Sequence, residues 1–135
     1  MGRFAASAEY VCWGSAGPLE DKERAVLGCI PGYLIASSPS DRDHVTEKPQ
    51  AWGDWLVRAV LPGGVVLDPF TGSGVTGEAA IRSGRSFVGC EIPEEHLETA
   101  ARRLEQAESQ GVQAPLLTVR EPEAPAPSLF GPRPA

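Results

Sequence analysis

A glycine-rich segment at residues 67–80, LDPFTGSGVTGEAA, carries the clearest chemical pattern in the chain. Gly72, Gly74 and Gly77 have the spacing G-x-G-x-x-G, directly after an apolar run and before a stretch suited to a helix. Glycine lets the backbone turn sharply and approach a ligand closely, and the start of the next helix offers unpaired N–H groups. The pattern indicates a nicotinamide site, a site for another nucleotide-like cofactor, or a tight structural turn.

Two carboxylates narrow these alternatives. Glu91 ends the run SFVGCEI, 19 positions after Gly72, close to the spacing at which an acidic residue accepts hydrogen bonds from ribose hydroxyls. Asp68 stands at the tip of the preceding strand and would repel a pyrophosphate but attract an amino group or a sulfonium. Together they favour a cofactor with a ribose and a positive charge but no phosphates, which S-adenosylmethionine fits. Taken alone, Glu91 is more commonly explained as a solvated strand end.

Hydrophobic periodicity predicts the elements that hold this segment. Apolar spacing of three and four indicates helices at 51–61, at 75–83 and after Pro93. Continuous apolar runs at 65–67 and 86–92 are typical of buried parallel strands covered on both faces. Alternation of this kind predicts an α/β fold with an incomplete parallel sheet and helices on both faces.

The two ends of the chain differ from this centre. Residues 8–37 begin and end with short β-rich runs that predict an N-terminal β-hairpin, with a helical turn at 19–27 between them. Residues 111–135 are rich in proline and are expected to form a disordered tail. One domain over residues 1–110 is therefore expected.

Composition limits the function classes. The net charge is −6. Proteins that bind DNA alone usually present a basic surface, so this acidity counts against DNA binding by the chain alone. Cys12, Cys29 and Cys90 are odd in number and far apart, and the two histidines lack metal-ligand spacing, so neither a disulfide framework nor a metal site is expected. This cysteine pattern makes a reducing cytosol the simplest compartment. No apolar run approaches the length of a membrane span.

Three segments carry a resemblance to a known family. VVLDPFTGSGVT resembles the cofactor loop of the amino-directed DNA methyltransferases, which make N6-methyladenine or N4-methylcytosine, and Val75 replaces the first threonine of the usual loop. HVTEKP at 44–49 is similar to the family's His-Pro-Thr-Gln/Glu-Lys-Pro segment, with Val45 departing. SFVGCEIPEEHLETAARRL resembles the ribose-binding strand and its helix, without the asparagine often found before the proline. The resemblance covers residues 44–107 and implies a Rossmann-like, S-adenosylmethionine-dependent methyltransferase fold.

The same resemblance implies which residues contact the cofactor. The segment at 44–49 would help enclose the methionine end, and the end of the second strand would contact ribose and adenine. The candidates that match the family motifs are Thr46, Lys48, Pro49, Asp68, Pro69, Phe70, Gly72, Ser73, Gly74, Thr76, Glu91 and Ile92.

One family motif has no counterpart in the sequence. The catalytic tetrapeptide is Asp, Asn or Ser, then Pro-Pro, then Tyr or Phe, and no Pro-Pro occurs among the 135 residues. The resemblance therefore implies a C-terminal, cofactor-binding part, inactive in isolation and acting on DNA only with a catalytic and target-recognition part, which a partner chain could supply. The alternatives are a remnant or stand-alone module that binds the cofactor without catalysis, and a nicotinamide-binding domain, and Asp68-Pro69 disfavours the last.

Other candidates have simpler structural explanations. Trp52 and Trp55 are predicted to be helix core, His44 and His96 to be surface residues, and Cys90 to be inert packing in a buried strand. Gly77 is interpreted as a helix residue that completes the glycine pattern by chance.

Overall fold

The computed structural model describes residues 8–37 and 48–112 of the chain. In chain order its elements are α1 (Asp21–Leu27), α2 (Gln50–Leu56) continued by a 3-10 turn (Val57–Ala59), β1 (Val65–Asp68), α3 (Val75–Arg82), β2 (Ser86–Gly89) and α4 (Glu94–Gln110). The predicted order of helix, strand, helix, strand and helix around the glycine segment is confirmed. Residues 38–47 and the proline-rich end from residue 113 lie outside the described part.

The two strands form a parallel sheet in which Val65 pairs with Ser86 and Asp68 with Gly89. Helix α3 connects them and lies against both, while α2 and α4 pack against α3. The carboxyl ends of β1 and β2 therefore lie side by side, and the chain leaves β1 into the glycine segment and β2 toward Glu91.

Small residues let these elements come close together. The core consists of Val57, Val66, Ala79 and Ala80, with Phe87 packed against it. A Cβ atom placed on Gly53 of α2 would lie 2.9 Å from the Val75 carbonyl oxygen of α3. The helices thus cross at a distance that a larger side chain would not permit.

The opposite face of the sheet is open, contrary to the prediction of strands buried on both sides. Val65, Leu67 and Val88 are 62%, 66% and 51% exposed, and Cys90 is exposed as well. The prediction was wrong because a continuous apolar run shows that both faces of a strand are apolar, whereas the described helices pack on the Val66 and Phe87 side only.

Residues 8–37 do not form the predicted hairpin. Their one regular element is α1, which confirms the helical turn at 19–27 and begins with a capping box between Glu20 and Glu23. The runs around it have no strand partner in the described ranges, and Tyr10 and Ile35 are 93% and 87% exposed. β-propensity measures how well a side chain fits a sheet surface, so these runs stay irregular where the described chain offers no such surface.

Helix α4 is the longest described element, and Pro93 is its N-cap rather than its first helical residue. Ala100 and Ala107 are its buried positions. None of the helices in the described ranges has the length and apolar character needed to cross a bilayer.

Candidate functional site

A cavity of about 360 Å³ opens at the carboxyl end of β1, beside the glycine segment. Its walls come from β1, from the start of α2, from the loop and first turn of α3, and from the first turn of α4. The lining residues are Lys48, Trp52, Asp68, Phe70, Thr71, Gly72, Ser73, Val75, Thr76 and His96.

The loop is fastened to the ends of both strands. Asp68 accepts a hydrogen bond at Oδ1 from the Phe70 N–H, at 3.0 Å, which fixes the carboxylate in a turn. The Thr71 hydroxyl donates to the Asp68 carbonyl, and the Thr71 N–H donates to the Cys90 carbonyl, each at 3.0 Å. These bonds hold the Asp68 side chain at the cavity wall.

Each of the three glycines has a structural reason. Gly72 and Gly74 adopt φ values of 54° and 84°, in the left-handed region that favours glycine. A Cβ atom on Gly74 would also lie 3.0 Å from the Cα atom of Ala100. A Cβ atom on Gly77 would lie 2.7 Å from the Phe87 ring, so this glycine is required for α3 to pack on β2. Gly77 is a helix residue, as interpreted, and is not among the lining residues, but it has a packing reason rather than completing the pattern by chance.

Glu91 is bound to the glycine loop. Its Oε2 accepts a hydrogen bond from the Gly72 N–H at 2.6 Å, and its Oε1 accepts one from the Ile92 N–H at 3.0 Å. The Gly72 bond first, then the Ile92 bond and the nearby charge of His96, hold the pKa of Glu91 below its ordinary value. Each carboxylate oxygen can accept more than one hydrogen bond, so this ionised group retains capacity for ribose hydroxyls.

This pKa shift predicts a pH-dependent contribution of Glu91 to stability. Because its pKa is lower in the folded chain than the unfolded value of 4.5, its contribution is present above about pH 4.5 and is lost as pH falls through the folded pKa. We expect Glu91→Gln to be less stable than wild type at pH 7, with a gap that narrows in acid. Urea unfolding of both proteins at several pH values measures it, and a gap independent of pH would contradict the assignment.

Lys48 lies at the rim of the cavity and is paired with the N-terminal segment. Its Nζ is 2.7 Å from both carboxylate oxygens of Glu9. Pro49 follows as the N-cap of α2, and its carbonyl accepts from the Trp52 N–H. The side chains of Lys48 and Glu9 are 41% and 68% exposed, so this ion pair adds little stability and leaves Lys48 able to exchange partners.

The structure brings together most of the site residues predicted from the sequence. Six of them line the cavity: Lys48, Asp68, Phe70, Gly72, Ser73 and Thr76. Glu91 is not among the lining residues but accepts a hydrogen bond from Gly72, which is, and Gly74 is the N-cap of α3 behind the loop. Pro49, Pro69 and Ile92 adjoin these residues but are absent from the described lining, and Ile92 is 94% exposed. Thr46 lies outside the described residues, as does His44.

Sequence reasoning missed four lining residues: Trp52, Thr71, Val75 and His96. Trp52 and Trp55 were predicted to be helix core, but both are half-buried and neither is among the core residues. Trp52 lies at the cavity wall, and Trp55 donates from its ring N–H to the Pro31 carbonyl at 2.9 Å. His96 was predicted to be a surface residue but is half-buried in the first turn of α4. The sequence held one signal for this placement. His96 follows Glu91 by five residues, so the first turn of α4 holds it close to the strand ends.

The fold and the cavity have counterparts among known proteins. A family model described as DNA methylase matches residues 19–102. The chain is 48% identical over 69 residues to the DNA adenine methyltransferase YhdJ of Escherichia coli K12, covering 48% of this chain and 22% of that protein. It is 30% identical over 120 residues to the type II methyltransferase M.HinfI of Haemophilus influenzae, covering 82% of this chain and 33% of that protein.

A solved structure shares the architecture. TTHA0409 of Thermus thermophilus, assigned as a DNA modification methylase and crystallised with S-adenosyl-L-methionine, is 25% identical with a TM-score of 0.51. That match covers 70% of this chain and 40% of the other. The fold is thus that of the α/β methyltransferases. The chain belongs to the DNA methylase family of amino-directed methyltransferases, and it spans a third or less of the length of the curated relatives named above.

Proposed function

We propose that the chain binds S-adenosylmethionine in the cavity at the carboxyl end of β1, as the cofactor-binding part of an amino-directed DNA methyltransferase. The observation that carries the proposal is the pair of carboxylates, Asp68 and Glu91, at the ends of two neighbouring parallel strands on either side of a glycine loop. Ligands of open α/β sheets bind at this edge. The S-adenosylmethionine complex of the related methylase supports the assignment.

Size and charge of the site fit this cofactor. The cavity volume of about 360 Å³ lies within the roughly 300–1,000 Å³ of small-molecule sites. Asp68 supplies a negative charge at the wall, suited to the ammonium or sulfonium end. Glu91, kept ionised and oriented by two backbone N–H groups, is suited to accept hydrogen bonds from ribose hydroxyls.

The chain's own residues bind and orient, and none of the described ones has a role in breaking bonds. When bound, the cofactor supplies a methyl group on a sulfonium, and the acceptor is proposed to be the exocyclic amine of adenine (N6) or cytosine (N4). Attack by such an amine needs alignment more than a strong base. Asp68 would fix the charged end, and Glu91 with the glycine loop would fix the nucleoside end.

A sequence feature supports a second candidate, a cofactor-binding module that needs a partner chain for catalysis. The Pro-Pro dipeptide of the family's catalytic tetrapeptide is absent from the 135 residues. In the family this tetrapeptide holds the target amine of a base taken out of the stack. A polypeptide carrying that tetrapeptide would complete the site, and contact with DNA is proposed to depend on it because the chain is acidic.

Calorimetric titration of the full chain tests the cofactor assignment. We expect S-adenosylhomocysteine to bind and NAD to give no heat of binding, because the Asp68 carboxylate disfavours a pyrophosphate. Binding of NAD alone would overturn the proposal. Transfer of tritiated methyl to DNA tests the need for a further catalytic part: we expect none from the isolated chain, and robust incorporation would show that the chain carries its own catalytic group.

A further inference from the structure

The glycine loop depends on its surroundings for its shape. Ser73 lies between Gly72 and Gly74, which adopt left-handed φ values and have no Cβ atom to restrict them. The loop N–H groups of Thr71, Gly72 and Gly74 are held by bonds to Cys90, Glu91 and Thr71 respectively. The Ser73 carbonyl is held from another direction, by helix α4.

The α4 residue that makes this contact is Arg103, which is not among the residues lining the cavity. Its Nη1 donates to the Ser73 carbonyl at 3.1 Å and lies 3.2 Å from the Ser73 hydroxyl. Its Nε lies 3.4 Å from Oε2 of Glu78, in the first turn of α3, so one guanidinium joins the loop, α3 and α4. Glu78 also pairs with Arg82, at 3.3 Å.

Burial makes this arrangement stronger than a surface ion pair. Ser73 is buried, and the side chains of Arg103, Glu78 and Arg82 are each less than a quarter exposed. The planar guanidinium offers several N–H donors in a fixed geometry, so it can bind Ser73 and Glu78 together, which a lysine ammonium does less well. Both Ser73 and the peptide that precedes Gly74 are therefore fixed from outside the cavity.

We propose that Arg103 is a positioning residue for the cofactor loop: it fixes the Ser73–Gly74 peptide, and through it the start of α3, in the geometry that the ligand meets. Arg103 lies in the segment SFVGCEIPEEHLETAARRL, but it is not among the residues that the family resemblance implies as cofactor contacts. The expected effect of Arg103 on ligand affinity rests on the proposed function, because it concerns the same site. Its expected effect on the order of the loop does not. The order of the loop itself is measurable without any ligand.

The test compares Arg103→Met with Arg102→Met in the full chain labelled with ¹⁵N. Arg102 is the preceding residue of α4 and is exposed, so its variant makes the same change of charge and size away from the loop. We expect the amide resonances of Gly72 and Gly74 to shift or broaden in Arg103→Met while α4 resonances beyond the site persist, and to stay in place in Arg102→Met. We expect the Kd for S-adenosylhomocysteine to rise at least about tenfold in the first variant and less than about twofold in the second.

Failure of the proposed function and failure of the inference about Arg103 would give different results. If wild type binds no S-adenosylhomocysteine, the proposed function fails, and the loop resonances still decide the role of Arg103. Loop resonances in Arg103→Met that match wild type would overturn the inference. If that variant does not fold, Arg103→Lys replaces it: displaced Gly72 and Gly74 resonances with weaker binding support the inference, and a spectrum and Kd like those of wild type overturn it.

Discussion

Replacing Asp68 with alanine is expected to weaken binding of S-adenosylmethionine about 30–100-fold, the effect of removing the charged partner of a desolvated cation. Asp68 is half-buried at the cavity wall, and its carboxylate is held in place by the Phe70 N–H. Nothing else on the described wall supplies a negative charge at the end of β1. Calorimetric titration of wild type and Asp68→Ala measures the difference.

Asp68→Asn is the matched control, because its side-chain oxygen can still accept the Phe70 N–H while the charge is removed. If charge is what Asp68 contributes, we expect this variant to melt close to wild type and yet to lose about tenfold or more in affinity. Affinity equal to that of wild type would show that Asp68 shapes the loop without attracting the ligand, and would remove the argument from charge.

The largest effect on stability is expected at Gly77. Gly77→Ala places a Cβ atom 2.7 Å from the Phe87 ring and 3.0 Å from Leu104. The ring already packs closely over Gly89, where even a Cβ atom would lie 2.7 Å from it, so it has little room to retreat toward the sheet. Overpacking costs about 1–3 kcal/mol or more and the gain in helix propensity returns up to about 1, so we expect a net loss of about 2 kcal/mol in the free energy of unfolding.

Urea unfolding checks this loss against two controls. Gly14→Ala adds the same methyl group where no atom lies within 4 Å, and it should change stability by less than about 0.5 kcal/mol. In a Phe87→Leu background, Gly77→Ala should cost clearly less, because the clashing ring is gone. An equal cost in both backgrounds would show that contact with Phe87 is not the cause.

The elements nearest the glycine loop were predictable because their signals are local. Pro62-Gly63-Gly64 ends the preceding helix region, glycines mark the turn after β1, and Pro93 precedes α4. Each of these residues acts on its own backbone or on the next few residues. The role of Asp68 was inferred from its position at a strand end, and the structure places it at the cavity wall.

Features that depend on contacts between distant residues were not predictable. The apolar run at β1 gave no sign that Val65 and Leu67 would be exposed, because that depends on which side α3 packs. The hairpin prediction for residues 8–37 failed for the same reason, since pairing needs a partner that no local pattern specifies. Arg103 reaches Ser73 across 30 positions, and only the packing of α4 against α3 brings them together.

A crystal structure of the chain with S-adenosylhomocysteine tests the central claim most directly. We predict the ligand in the cavity beside the glycine loop, with its ribose hydroxyls bonded to Glu91 and its amino group at the Asp68 end. A ligand bound elsewhere on the molecule, or one lying in this cavity with neither carboxylate in contact with it, would contradict the assignment.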